Sequence, residues 1–263
     1  MLIDTHCHLN HDDLFSNRTE HIAKAKNEGI GFILNVGYDI PNSKITKQIA
    51  AEEDICYYSV GIHPHDANKY TSEDIISLTS MVSDKDKKLI AMGEMGLDYY
   101  RLPEGNEEST IEKQKMLFMT QLDIAKSYDL PVVIHDRDAH EDIYQIIRYS
   151  GIKKGIMHCF SGNLDFANKM MELGFYISFA GPLTYPKNTD LHQTCKEIDL
   201  SRILIETDAP YLTPVPLRGK ALNEPALVRY VADKVCEIRG INRDELSKHL
   251  QNNVHECFGV GIK

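Results

Sequence analysis

Two histidines one residue apart, His6 and His8, close the first apolar run of the chain in the stretch IDTHCHLN. On an extended strand alternate side chains share a face, so both imidazoles point one way while Thr5 and Cys7 point the other. Taken alone, the pair reads equally as a polar strand end or as the start of a metal site. Later apolar runs end in GIHPH (His63, His65), GEMGLDYY (Glu94, Asp98), IHDRD (His135), MHCFSG (His158) and IETDAPY (Glu206, Asp208). Four of these histidines (His6, His8, His135, His158) with Glu94 and Asp208 exceed what one tetrahedral ion needs, whereas two ions sharing a carboxylate would use them all. Such nitrogen and oxygen donors suit Zn²⁺, Mn²⁺ or Mg²⁺ without choosing among them. Two divalent ions about 3.5–4 Å apart acidify a bridging water and clamp the oxygens of a phosphoryl or acyl centre, so the expected chemistry is hydrolysis. No Gly-x-Ser-x-Gly elbow, phosphate-binding glycine loop or dinucleotide fingerprint competes with it.

The elements that must position these residues follow from the rhythm of the chain. Short apolar runs recur at Leu2–Asp4, Gly31–Val36, Cys56–Ile62, Leu89–Gly93, Pro131–Ile134, Gly155–Met157, Phe175–Phe179 and Ile203–Ile205, each of a length for a buried strand. Between them, Thr19–Glu28, Ser43–Glu53, Glu108–Ser127, Ala139–Tyr149, Leu164–Leu173 and Leu191–Ile198 show helical spacing with charged outer faces. The connection Thr71–Lys88 is the least defined. Eight strands alternating with helices predict a single-domain α/β fold, a TIM-type (β/α)₈ barrel over residues 1–263. In such a barrel the carboxyl ends of all strands share one face, where barrel enzymes do their chemistry. Buried histidines and carboxylates are costly unless paired or coordinated, so a ring of them at that mouth reads as a site. The proline-rich stretch Asp208–Glu224 then forms a long loop on the same rim.

Composition narrows the setting. The 263 residues carry a formal net charge of −10, which argues against broad electrostatic binding of duplex nucleic acid but not against taking a few nucleotides into a metal-bearing pocket. Six scattered cysteines without a Cys-x-x-Cys pair read as reduced thiols, and no apolar stretch is long enough to span a bilayer. A cytoplasmic protein with no membrane contact and no obligate protein partner is expected.

The segments IDTHCHLN, VGIHPHDA, GEMGLDYY, MHCFSG, IETDAPYLTP and RGKALNEP together resemble, nearly end to end, the TatD family of metal-dependent deoxyribonucleases within the amidohydrolase superfamily. The resemblance implies a binuclear centre in which His6, His8, Glu94 and Asp208 hold one ion and Glu94, His135 and His158 the other. It places Asp208, Glu94 and His63 in the catalytic machinery, with Asp208 beside the attacking water and His63 near the substrate phosphate. It also implies a DNA substrate, a single strand trimmed from the 3′ end. Where the family more often has serine after the strand-five histidine, this chain has Asp136.

Other residues are candidates with plain alternatives. Pro64 disturbs a strand through His63 and His65, which favours a loop over a second metal pair; His65 remains a substrate contact. Arg137 is placed to meet a phosphate or to pair with Asp136 and Asp138. Arg218 and Lys220 could contact a nucleic acid backbone or line a solvated loop. Glu206 shares the face of Asp208 and could orient a ligand. Asn223-Glu224-Pro225 reads as a helix start with Asn as cap, and His11, His21, His140, His192, His249 and His255 as surface or helix residues. Hydrolysis of an ester or amide, such as an aminoacyl-tRNA ester or a small metabolite, would use the same centre. A scaffold with structural metals is disfavoured, since those sites are usually closed by Cys and His.

Overall fold

Strands made of unbroken apolar runs need cover on both faces. In the computed structural model, which describes residues 1–262, they obtain it in a barrel. The strands are β1 (Leu2–Cys7), β2 (Ile30–Val36), β3 (Cys56–Val60), β4 (Leu89–Asp98), β5 (Val132–Arg137), β6 (Gly155–Met157), β7 (Phe175–Phe179) and β8 (Ile203–Ile205). Each pairs in parallel with the next. The ring is completed beyond β8, where Cys7 bridges Ala209. There the Asp208 amide donates to the His6 carbonyl (2.9 Å) and the His8 amide to the Ala209 carbonyl (2.8 Å). The fold is the TIM-type (β/α)₈ barrel that the alternation predicts.

Helices α1 (Asp12–Phe15), α2 (Arg18–Asn27), α3 (Ile40–Glu52), α4 (Ser72–Ser83), α5 (Glu107–Ser127), α6 (His140–Ser150), α7 (Leu164–Glu172) and α8 (Thr189–Glu197) fill the connections, and α9 (Val228–Arg239) and α10 (Arg243–Phe258) follow β8. The ill-defined Thr71–Lys88 segment holds α4, started by a reciprocal cap: the Thr71 hydroxyl accepts from the Asp74 amide, and the Asp74 carboxylate accepts from the Thr71 amide. Among the described residues no helix is long and apolar enough to cross a membrane.

Three strands carry the site further than their apolar runs indicate. β1 continues past Asp4 to Cys7, β4 past Gly93 to Asp98, and β5 past Ile134 to Arg137. His6, Glu94 and His135 therefore sit within hydrogen-bonded strands, which fix ligands more firmly than loops do. β4 and β5 approach so closely that a Cβ on Gly96 would lie 1.9 Å from the His135 carbonyl oxygen. With φ at +145°, only glycine suits that place. β3 is shorter than expected, ending at Val60 instead of Ile62. The buried Gln121 of α5 takes over from a neighbouring strand there, accepting from the Ile62 amide (2.8 Å) and donating to its carbonyl (2.9 Å).

Candidate metal centre

The site begins with a buried carboxylate that binds no ligand group. Asp4, inside β1, accepts from the amide (2.9 Å) and hydroxyl (2.6 Å) of Thr207. Burial pushes its carboxyl up to about 8, against the lowering effect of those two bonds. This contact ties the chain leaving β8 to β1. The next residue, Asp208, takes φ +56°, uncommon for a residue with a Cβ. Its Oδ1 consequently stands 3.7 Å from His6 Nε2 and 3.6 Å from His8 Nε2.

Glu94 Oε2 approaches the same two nitrogens from β4, at 3.6 and 3.8 Å, and the nitrogens are 3.1 Å apart. Four donors around a tetrahedral ion with bonds of about 2.1 Å stand about 3.4 Å from one another. His6, His8 and Asp208 fit a divalent cation on that measure, their donor atoms all lying within 4.8 Å of one another. The proton count agrees: His8 Nδ1 lies 3.0 Å from the Val36 carbonyl and carries its proton there, so its Nε2 presents a lone pair to the cluster. His6 Nδ1 is buried without a partner, so the protein alone leaves this imidazole unsatisfied.

The other oxygen of Glu94 serves a second group. Oε1 lies 2.8 Å from His135 Nδ1, 3.3 Å from His158 Nε2 and 3.5 Å from His63 Nε2. His135 and His158 each face carboxylates with both nitrogens. His135 Nε2 lies 3.2 Å from Asp98 Oδ2, and His158 Nδ1 lies 2.9 Å from Glu206 Oε1. A neutral imidazole has one proton for two such oxygens, so either a second proton or a cation is needed. The outer carboxylates are themselves held. Glu206 also accepts from the Cys159 amide (2.7 Å) and the Ser178 hydroxyl, and Asp98 from the amides of Tyr100 (3.0 Å) and Arg101 (2.9 Å). Buried Gln114 of α5 grips the Asp98 backbone at both its amide (2.9 Å) and its carbonyl (3.0 Å).

The charge balance shows in the titration of the cluster. Burial disfavours protonated His158, but Glu206 and Glu94 outweigh it and raise its pKa well above the usual histidine range. Burial likewise opposes, and carboxylates overcome, the protonation of His135 (through Asp98 and Glu94) and of His8 (through Asp208 and Glu94). His6 differs: burial, reinforced by His158, holds it down at about 3. Burial also lowers His63 to about 4, so it is neutral. The His63 Nδ1 accepts from the His65 amide (3.2 Å), which leaves the proton on Nε2 and makes His63 a hydrogen-bond donor toward the site.

The remaining candidates occupy the rim. His65 Nε2 binds Asp98 Oδ2 at 2.8 Å, the oxygen that His135 shares. The Arg137 guanidinium lies 3.9 Å over the Tyr100 ring and that of Arg218 3.9 Å over Tyr185, while Lys220 is exposed on the rim loop. Asp136 is engaged by His140 Nδ1 (2.7 Å) instead of Arg137, which gives this helix histidine a carboxylate partner. His21 also has one, in Glu224. Asn223 is not the helix cap its position predicts. The first turn is a 3₁₀ turn, Pro225–Leu227, preceded by Glu224. Asn223 is fully buried and donates to the carbonyls of Thr207 (2.8 Å) and Tyr211, which the irregular loop would otherwise leave without donors. Asp4, Gln114, Gln121 and the inward Asn223 are the positioning residues that sequence reading missed. Gln114 and Gln121, seven apart on one helix face, were the one signal available.

Residues 3–259 match the family described as TatD related DNase. The chain is 38% identical over 262 residues to YabD of Bacillus subtilis, an uncharacterized metal-dependent hydrolase, covering 99% of this chain and all of that protein. It is 34% identical over 265 residues to YcfH of Escherichia coli, described in the same words, covering 98% and 96% of the two chains. The crystal structure of the TatD homologue YjjV from Escherichia coli superposes with a TM-score of 0.92 at 29% identity, covering 98% of each chain.

Proposed function

The chain belongs to the TatD related DNase family, and from that premise we propose that this metal-dependent hydrolase cleaves phosphodiester bonds of DNA at a binuclear centre, trimming single strands from the 3′ end. The observation that carries the reading is the division of Glu94: Oε2 faces His6 and His8, while Oε1 faces His135 and His158. His6, His8, Glu94 and Asp208 would hold one ion, and Glu94, His135 and His158 the other. Two divalent ions bound there supply Lewis acidity, lowering the pKa of water toward neutrality and neutralising charge on a phosphoryl group under attack. Asp208 turns Oδ1 to the histidines, which leaves Oδ2 to accept the proton of the attacking water. Neutral His63 donates from Nε2 to a phosphate oxygen. Arg137 and Arg218, held over tyrosines, and His65 beside Asp98 line the approach for the strand. Cytoplasmic placement fits the six free thiols.

The test is direct: metal-loaded protein is incubated with end-labelled single-stranded DNA, duplex DNA, RNA and aminoacyl-tRNA side by side. Stepwise shortening of single-stranded DNA from the 3′ end is expected. Turnover of the aminoacyl ester alone would reassign the centre to ester hydrolysis.

A further inference from the structure

An acidic chain that takes a polyanion needs attraction beyond charge. A net charge of −10 argues against a broad electrostatic grip, and beyond the metal centre and the rim arginines a general source of affinity for a single strand is stacking of bases on aromatic rings. Of the tyrosines near the mouth, Tyr38 and Tyr99 are half-buried, and Tyr100 and Tyr185 already carry an arginine on one face. Among the described residues, no cation covers Tyr211. Its side chain is 50% exposed, on the rim three residues from Asp208.

Tyr211 is also held in one place. Its amide donates to the Asp208 carbonyl (2.8 Å), and its carbonyl accepts from Asn223 Nδ2, the same buried amide that binds the Thr207 carbonyl. Its ring is braced edge to face by His8 and His11, with centroids 6.2 and 5.5 Å away. Platform and metal-site residues thus share one rigid frame, so a base resting on the ring would be ordered at little entropic cost. We propose that Tyr211 is the stacking platform for a nucleobase adjoining the scissile phosphodiester, and that the site therefore selects nucleotides over phosphodiesters lacking an aromatic base. The proposal rests on the nucleic acid reading of the site.

The test uses metal-loaded wild type, Tyr211→Ala and Tyr211→Phe, with bound metal measured for each. The substrates are single-stranded oligodeoxynucleotides, natural or abasic at the last or the second-last position. For wild type, one abasic position should raise KM by about 5- to 150-fold, the worth of one base–aromatic stack. Tyr211→Ala should show the raised KM on the natural strand and little further loss on the abasic one. Tyr211→Phe should keep the preference. Equal KM for natural and abasic strands in wild type, or a preference that survives in Tyr211→Ala at full metal loading, would overturn the platform while leaving the nuclease reading intact. If wild type cleaves none of these strands, the nuclease reading itself fails and the platform with it.

Discussion

His158 and Glu206 meet at 2.9 Å, Nδ1 to Oε1, with Glu206 fully buried between the His158 ring, the Cys159 amide and the Ser178 hydroxyl. With a cation bound, the bond would hold the imidazole proton on Nδ1 and leave the Nε2 lone pair to ligate. Glu206→Gln removes the charge while keeping the size. Metal affinity or activity should fall by about 10- to 100-fold, as is usual for the partner of a ligating histidine. Metal titration of the two proteins checks this; equal Kd values would show that Glu206 merely fills the barrel interior.

Removing the metal should separate function from fold. The barrel is closed by backbone pairing and a continuous apolar core, not by the ligands. Exhaustive chelation should therefore abolish turnover yet leave most of the helical circular dichroism signal, and Mn²⁺, Mg²⁺ or Zn²⁺ should restore activity. Full activity in protein verified to be free of metal would exclude the mechanism.

Acid should weaken metal binding. His8, His135 and His158 have pKa values raised by their carboxylate neighbours in the metal-free chain, so they retain protons to higher pH than ordinary histidines. A ligating nitrogen must lose its proton, so affinity should rise as pH climbs through the raised values and fall as pH drops. Calorimetric titration at neutral pH, in two buffers of different ionisation heat, should reveal proton release on binding. Identical heats in both would contradict it.

The fold and the gathering of the candidate ligands at one barrel mouth were legible in the sequence for a shared reason: both are written in local patterns. Apolar runs mark strands, and a histidine or carboxylate at the end of a run marks the catalytic face in a parallel barrel. What escaped was the set of contacts between residues far apart in the chain. Nothing near Asp4 announces Thr207, and the Gln114 and Gln121 clamps depend on where α5 lies across β3 and β4. Asn223 carried a real local signal for a cap, overridden because two carbonyls of the rim loop needed its amide. Three strands also run past their apolar stretches, since His6, Glu94 and His135 break the pattern although their backbones continue the sheet.

The proposed bridge, Glu94, and the proposed base, Asp208, should fail in different ways. Glu94→Gln removes charge from the one side chain that faces both histidine groups, so it should lower metal bound per chain and be rescued in part by excess metal. Rescue that is complete at ordinary metal concentrations would argue against a bridge.

Asp208→Asn keeps nearly the same shape but cannot accept the proton of an attacking water. The most direct measurement is its turnover of single-stranded DNA, taken together with bound metal per chain in metal excess. The expected result is wild-type metal content with activity lower by about 10²- to 10⁴-fold, the usual worth of a general base. Near-normal turnover at full metal loading would contradict the account and move the role of base away from Asp208.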